Sequence, residues 1–191
     1  MHQSGHEAEE REVEAMRGLA AGRENELNGI MDRWSARVTA LLFRMTGNPS
    51  TAADLAQETF VRLYMTRGRF RPGSSERPFS TWLFGIAANL GRTRFRWHRR
   101  HPESPLDEAP ESGSTDNPAR SAEQRERSEA VRNAISTLPP DLREALVLAE
   151  YEGLSHADIA SVAGCSPKAI ERRLARAREH LRLRLAGYLS D

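Results

Sequence analysis

The sequence predicts an all-α protein: two small helical domains joined by a flexible acidic linker, the second with a helix-turn-helix. Three observations predict it. Apolar residues recur at steps of three and four, and no segment alternates apolar and polar residues between turn signals. Between 101 and 119 that pattern gives way to Ser, Glu and Asp, with Pro102, Pro105, Pro110 and Pro118 as breakers. Charge divides at the same place. Residues 61–100 hold ten Arg and one Glu, residues 101–130 three Arg and eight acids, and residues 166–191 seven bases and three acids. Two basic blocks around an acidic one, in a chain of net charge +1, suggest two surfaces that face polyanions.

The elements follow in order. Residues 1–21 are acidic and weakly patterned, and are expected to be a mobile tail. Leu27, Ile30, Met31, Trp34, Val38, Leu41, Leu42 and Met45 share one helical face, and Gly47-Asn48-Pro49 stops that helix. Thr51-x-x-Asp54 resembles a capping box for the next helix. That helix is expected to bury Ala53, Ala56, Phe60 and Leu63 and to show Asp54, Gln57, Glu58, Val61 and Arg62. The Gly-, Pro-, Ser- and Arg-rich stretch 67–78 reads as a basic loop around Phe70. A third helix carries Phe79, Leu83, Ile86, Leu90 and Trp97 on one face. Arg92, Arg96, Arg99 and Arg100 share a side near its end. The first domain is thus placed at 22–100, the linker at 101–119 and the second domain at 120–191.

In the second domain, Val131, Ile135 and Leu138 resume the helical pattern until Pro139-Pro140 ends it. Asp141 is a candidate cap for a helix holding Leu142, Ala145, Leu146 and Ala149, which stops at Gly153. Ser155-x-x-Asp158 is a capping box, with Ile159 and Val162 inward. Gly164 suits a sharp turn. Ser166 suits the N-cap and Pro167 the first turn of a last helix that buries Ile170, Leu174, Ala177 and Leu181. A short helix, a Gly-containing turn and a basic helix are the layout of a DNA-binding helix-turn-helix. The side chains just after Ser166, namely Lys168, Ala169, Glu171 and Arg172, then face base edges. Arg173, Arg176, Arg178 and Arg182 lie further along or round the helix and suit phosphates.

Several chemistries are excluded or weak. Cys165 is the only cysteine, so no internal disulfide and no cysteine metal pair can form. No apolar run approaches the ~20 residues that span a bilayer, and no apolar core marks a signal peptide at the N-terminus. The protein is expected to be soluble and cytoplasmic. His98 and His101 have no carboxylate placed with them and are expected to face phosphate or water rather than a metal. With no phosphate-cradling Gly loop and no nucleophile motif, neither a catalytic residue nor a cofactor is expected.

The motifs together resemble the extracytoplasmic-function (ECF) subfamily of sigma-70 family RNA polymerase sigma factors, from about Leu27 to Leu185. Gly47-Asn48 followed by Asp54-Leu55-x-Gln57-Glu58-x-Phe60 resembles that family's polymerase-binding helix. Phe79-x-Thr81-Trp82-Leu83-x-x-Ile86-Ala87-x-Asn89 resembles its promoter-melting and −10-reading helix. Leu138-Pro139, Gly153-Leu154-Ser155-x-x-Asp158-Ile159-Ala160 and Arg173-Leu174-x-Arg176-Ala177-Arg178-x-x-Leu181 resemble its second domain. Thr93, Ala169, Glu171 and Arg172 depart from the family's usual residues, which bears on the promoter read.

The resemblance implies a non-catalytic initiation factor with core RNA polymerase, promoter DNA and an anti-sigma factor as partners, monomeric when bound to polymerase. It implies core binding through Asp54, Leu55, Gln57, Glu58, Val61 and Arg62. It implies −10 contacts through Arg69, Phe70, Arg71, Asn89, Arg92, Arg96, Trp97, Arg99 and Arg100, since opened bases need stacking and backbone cations. It implies −35 contacts through Ser166, Lys168, Ala169, Glu171, Arg172, Arg173, Arg176 and Arg178. Two rival classes stay open on the residues alone: a free-standing operator-binding helix-turn-helix regulator whose sensor is 22–100, and a DNA-processing enzyme.

Overall fold

Helices with one apolar face are stable only when that face is covered, and here each covers the next. The structure, a computed structural model, describes residues 2–72, 75, 77–101 and 122–188. Those residues are all-α: α1 (His2–Ala20), α2 (Asn25–Thr46), α3 (Pro49–Thr66), α4 (Pro78–Arg100), α5 (Ala122–Ser136), α6 (Pro140–Glu150), α7 (His156–Ala163) and α8 (Pro167–Arg184). Short 3-10 turns lie at Arg67–Arg69 and Ala186–Tyr188. The linker placed at 101–119 falls, from Pro102 onward, outside the described residues.

The long helix α2 is the central strut. It buries Ile30, Trp34, Val38, Leu41 and Leu42, the face that its spacing predicts. α1, α3 and α4 gather round it. Trp34 meets Phe79 edge-on at 5.1 Å and Phe84 at 5.8 Å, so the two helices share an aromatic centre. Phe84 is fully buried although it lies off the predicted stripe, because α4 is covered on more than one side. Gly47 ends α2 with φ 75°, and its N–H donates to the Phe43 carbonyl.

Three expectations are corrected. The mobile tail placed at 1–21 is instead helix α1, with Ala15, Met16 and Leu19 buried. Its apolar stripe is interrupted by Glu9 and Glu12, which are themselves buried, so composition hid it. α3 starts at Pro49 rather than after Thr51: the Asn48 side chain caps it, accepting from the Thr51 amide at 2.8 Å. The buried face includes Ala52 and Leu55 beside the expected Ala56, Phe60 and Leu63, and Ala53, expected inside, is exposed. Asp141 does not cap α6; it sits in the first turn, behind Pro139 and Pro140.

In the second unit, α6 packs against both α8 and α2. It therefore buries Val147 and Leu148 as well as the predicted Leu142, Ala145 and Leu146. The two units touch directly: α2 meets α5 and α6, and α4 meets α7. Arg143 bridges them, donating to the Met45 carbonyl near the end of α2 at 2.8 Å and to the Ser136 and Leu138 carbonyls at the end of α5 and just past it.

Because α1 is core rather than tail, Met16→Ala should cost about 2–5 kcal/mol in urea unfolding. A mobile tail would give a change within about 0.5 kcal/mol.

Candidate nucleic-acid interface

The helix-turn-helix forms as its capping residues require. The Ser155 hydroxyl accepts from the Asp158 amide at 3.1 Å and donates to the Asp158 carboxylate at 2.6 Å. Gly164 adopts φ 64°, where a side chain would be strained, and turns the chain from α7 into α8. Ser166 caps α8 through the Ala169 amide, Pro167 sits in the first turn, and Ile170, Leu174 and Ala177 face inward. Cys165 is half-buried in the turn.

On α8 the structure leaves Ser166, Lys168, Glu171, Arg172, Arg176 and Arg178 exposed, with Ala169 and Arg173 half-buried. Arg173 pairs with Asp141 at 3.4 Å and Arg178 with Glu150 at 2.8 Å, while Lys168 lies 3.7 Å from Glu171. Arg172 thus stands on the N-terminal half of an open helix face, the part that can approach base edges.

On α4, Asn89, Arg96, Trp97, Arg99 and Arg100 are exposed. Trp97 stacks on His101 at 4.8 Å, and the Arg94 guanidinium lies over it at 5.2 Å, so a ring and cations stand together. Arg69 and Arg71 are exposed in the preceding loop, where Arg71 donates to the Gly68 and Phe70 carbonyls. Phe70 is not presented to solvent. It is buried, 6.4 Å from Phe79 and 5.2 Å from Trp82, so its ring anchors the loop. Arg92 is half-buried and turned to the second unit.

On α3, Asp54, Gln57, Glu58, Val61 and Arg62 form an exposed stripe with Met65. Arg62 pairs with Glu58 one turn back at 2.6 Å. Leu55 is buried and supports the stripe from beneath rather than lining it.

No local pattern of residues marks the contacts between the two units. Arg92 donates to buried Glu144 and, at 3.2 Å, to the Val162 carbonyl. Arg37 donates to buried Glu152 at 2.9 Å, and Arg77 to the Glu152 carbonyl at 2.7 Å. Arg44 lies 4.0 Å above the Tyr151 ring. A usable signal was the run Leu142 to Leu148: a helix apolar on nearly every side needs two neighbours, and a Glu within it needs a cation.

Two family models match the chain: "Sigma-70 region 2" over residues 30–101 and "Sigma-70, region 4" over residues 128–181. The RNA polymerase sigma-H factor of Pseudomonas aeruginosa is 32% identical over 180 residues, covering 90% of this chain and 92% of that one. The RNA polymerase sigma factor CarQ of Myxococcus xanthus is 36% identical over 164 residues, covering 84% and 90%. Among solved structures, CnrH in complex with the cytosolic domain of CnrY is 28% identical, with TM-score 0.65, over 91% of this chain and 96% of that one. The sigma factor RpoE in complex with the anti-sigma factor NepR from Bartonella quintana shares the fold, with TM-score 0.70 at 23% identity over 86% and 98%. The chain belongs to the sigma-70 family of RNA polymerase sigma factors, in its extracytoplasmic-function branch. It directs transcription from specific promoters, a regulatory function.

Burial raises the Glu144 carboxyl above the usual carboxylate range, against the pull of Arg92, which lowers it. The folded state therefore binds this proton more tightly than the unfolded chain. That contribution to stability is full below the ordinary glutamate pKa and is lost as pH rises through the raised value. At neutral pH the ionised carboxylate is a net cost, so Glu144→Gln should melt higher than wild type by calorimetry. The difference should close as pH falls below about 4.

Proposed function

We propose that the two units divide promoter recognition between them, with α1 added to a first unit at 22–100 and the second at 120–191. The exposed stripe of α3 docks on core RNA polymerase through Asp54, Gln57, Glu58, Val61 and Arg62, with Leu55 shaping it from below. The α4 surface around Trp97 and Arg96, with Asn89, Arg99, Arg100 and the loop residues Arg69 and Arg71, holds the opened −10 element. The exposed face of α8 reads the −35 element, Arg172 at base edges and Arg178 at phosphate. The observation that carries this is that three exposed faces lie on three different helices, one stripe on α3 and one basic surface on each of α4 and α8. Phe70 serves by anchoring the loop.

Arg92 joins the −10 surface only when it leaves Glu144, because a phosphate cannot occupy a guanidinium edge that a carboxylate already holds. Engaging both elements therefore parts the units, and the 101–119 segment is the tether. The factor performs no catalysis of its own and acts in the cytoplasm with the polymerase. No described helix is long and apolar enough to cross a membrane. An anti-sigma factor that covers α3 and α8 together is the inhibiting partner; one similar solved structure is of a sigma factor in complex with an anti-sigma factor, and another is of CnrH in complex with the cytosolic domain of CnrY.

Run-off transcription with core polymerase tests the assignment: transcripts from a target promoter should require this protein. A free-standing regulator would shift operator DNA without polymerase and give no such dependence. Reversing charge at Asp54 and Glu58 should weaken core binding and leave the helical circular dichroism unchanged. Arg172→Ala should cost about 1–3 kcal/mol at one −35 position and relax its specificity. Arg178→Ala should weaken all sequences alike and reduce the salt slope by about one. Equal, sequence-independent losses in both variants would overturn the orientation given to α8.

A further inference from the structure

Helix α4 carries the −10 surface, yet its own sequence does not cap it. It opens at Pro78, and the Arg77 carbonyl accepts the first intrahelical bond, from the Thr81 amide at 3.0 Å. Arg77 therefore holds the N-cap position, and its side chain has no acceptor to offer. The first-turn amides must find one elsewhere.

They find it on α1. The Glu9 carboxylate accepts from the Phe79 amide at 3.1 Å and the Ser80 amide at 3.3 Å, and its other oxygen accepts from the Ser80 hydroxyl. Glu9 is 4% exposed, and the Arg77 guanidinium lies 3.8 Å from it. A buried carboxylate thus sits at the positive end of α4, doing from another helix what an N-cap side chain normally does. The turn it holds carries Phe79, whose ring meets both Trp34 and Phe70. Phe70 in turn fixes Arg69 and Arg71 on either side.

We propose that Glu9 is a positioning residue for promoter opening: by capping α4 in trans, it sets the place of the Arg69–Arg71 loop. This rests on the assignment of that loop to the −10 element. Glu9 lies outside the α3 stripe and outside α8, so its effect falls on opening rather than on core or −35 binding. Glu9→Gln keeps one acceptor oxygen and retains more function than Glu9→Ala.

The test uses the full chain with core polymerase and a duplex promoter carrying a fluorescent base in the −10 non-template strand. Glu9→Ala should lower the open-complex fraction about fivefold, the population change typical of a lost helix cap. Core affinity and binding to an isolated −35 half-site should stay at wild-type values, and Glu9→Gln should be intermediate. Met16→Ala, which removes core volume from the same helix and leaves the cap, is the stability control. If Met16→Ala lowers opening as much as Glu9→Ala, Glu9 acts only through stability and the proposal is overturned. Unchanged opening in Glu9→Ala also overturns it. Arg69→Ala with Arg71→Ala separates the two levels. If that pair impairs opening while Glu9→Ala does not, only the positioning role falls. If the pair has no effect, the loop assignment itself falls.

Discussion

A carboxylate removed from water must be paired, and among the described residues four such carboxylates fasten one helix to another, while a fifth, Asp158, is held within its own helix turn. Glu9 joins α1 to α4, Glu12 joins α1 to α2 through Arg33 at 2.6 Å, Glu144 joins α6 to α4, and Glu152 joins the α6–α7 turn to α2 through Arg37. Apolar burial supplies most of the stability, as in any helical protein. The carboxylates add direction, because each is satisfied by particular donors at a particular geometry. In a chain of 27 Arg and one Lys, the partners of Glu12, Glu144 and Glu152 are guanidinium groups, Arg33 meeting Glu12 with two parallel bonds, while Glu9 is held by the first-turn amides of α4 with Arg77 at 3.8 Å.

The same constraint links architecture to function. Glu9 and Glu12 turn the first twenty residues into a structural helix. Glu144 and Glu152 place acidic groups of the second unit on arginines of the first. Arg92, which Glu144 holds in the packed arrangement, is the shared element of the function proposed above, where it turns to a phosphate once the units part. A buried ion pair of this kind contributes little net stability and can be exchanged at low cost. Apolar packing between α4 and α7 would give the contact affinity without making it compete with DNA.

Much of this was legible in the residues. The caps Ser155 and Ser166, the left-handed Gly164, the inward row Ile170–Leu174–Ala177 and the exposed α3 stripe all follow from local rules, and local rules act on neighbours in sequence. The helix-turn-helix was therefore fully visible. The rest depends on distant pairs. Glu9 serves an amide seventy residues away, so no window of sequence connects them. Phe70 looked like a solvent-facing ring in a basic loop, and only the aromatic centre of α4 shows that it faces inward. Leu55 lies within the stretch that resembles the family's polymerase-binding helix but belongs to the core, because it falls on the same side of α3 as Ala52, Thr59 and Leu63.

The central claim is that the packing of the two units and the reading of two promoter elements exclude one another, since both use Arg92. Cysteines at the exposed positions Ala36 on α2 and Glu129 on α5, with Cys165 replaced by Ser, allow spin or fluorescent labels on the two units away from the assigned binding faces. The label-to-label distance, measured in the free protein and in the complex with polymerase and promoter, decides the matter. A short distance in the free protein that lengthens on the promoter is the predicted result. The same short distance in both states would contradict it.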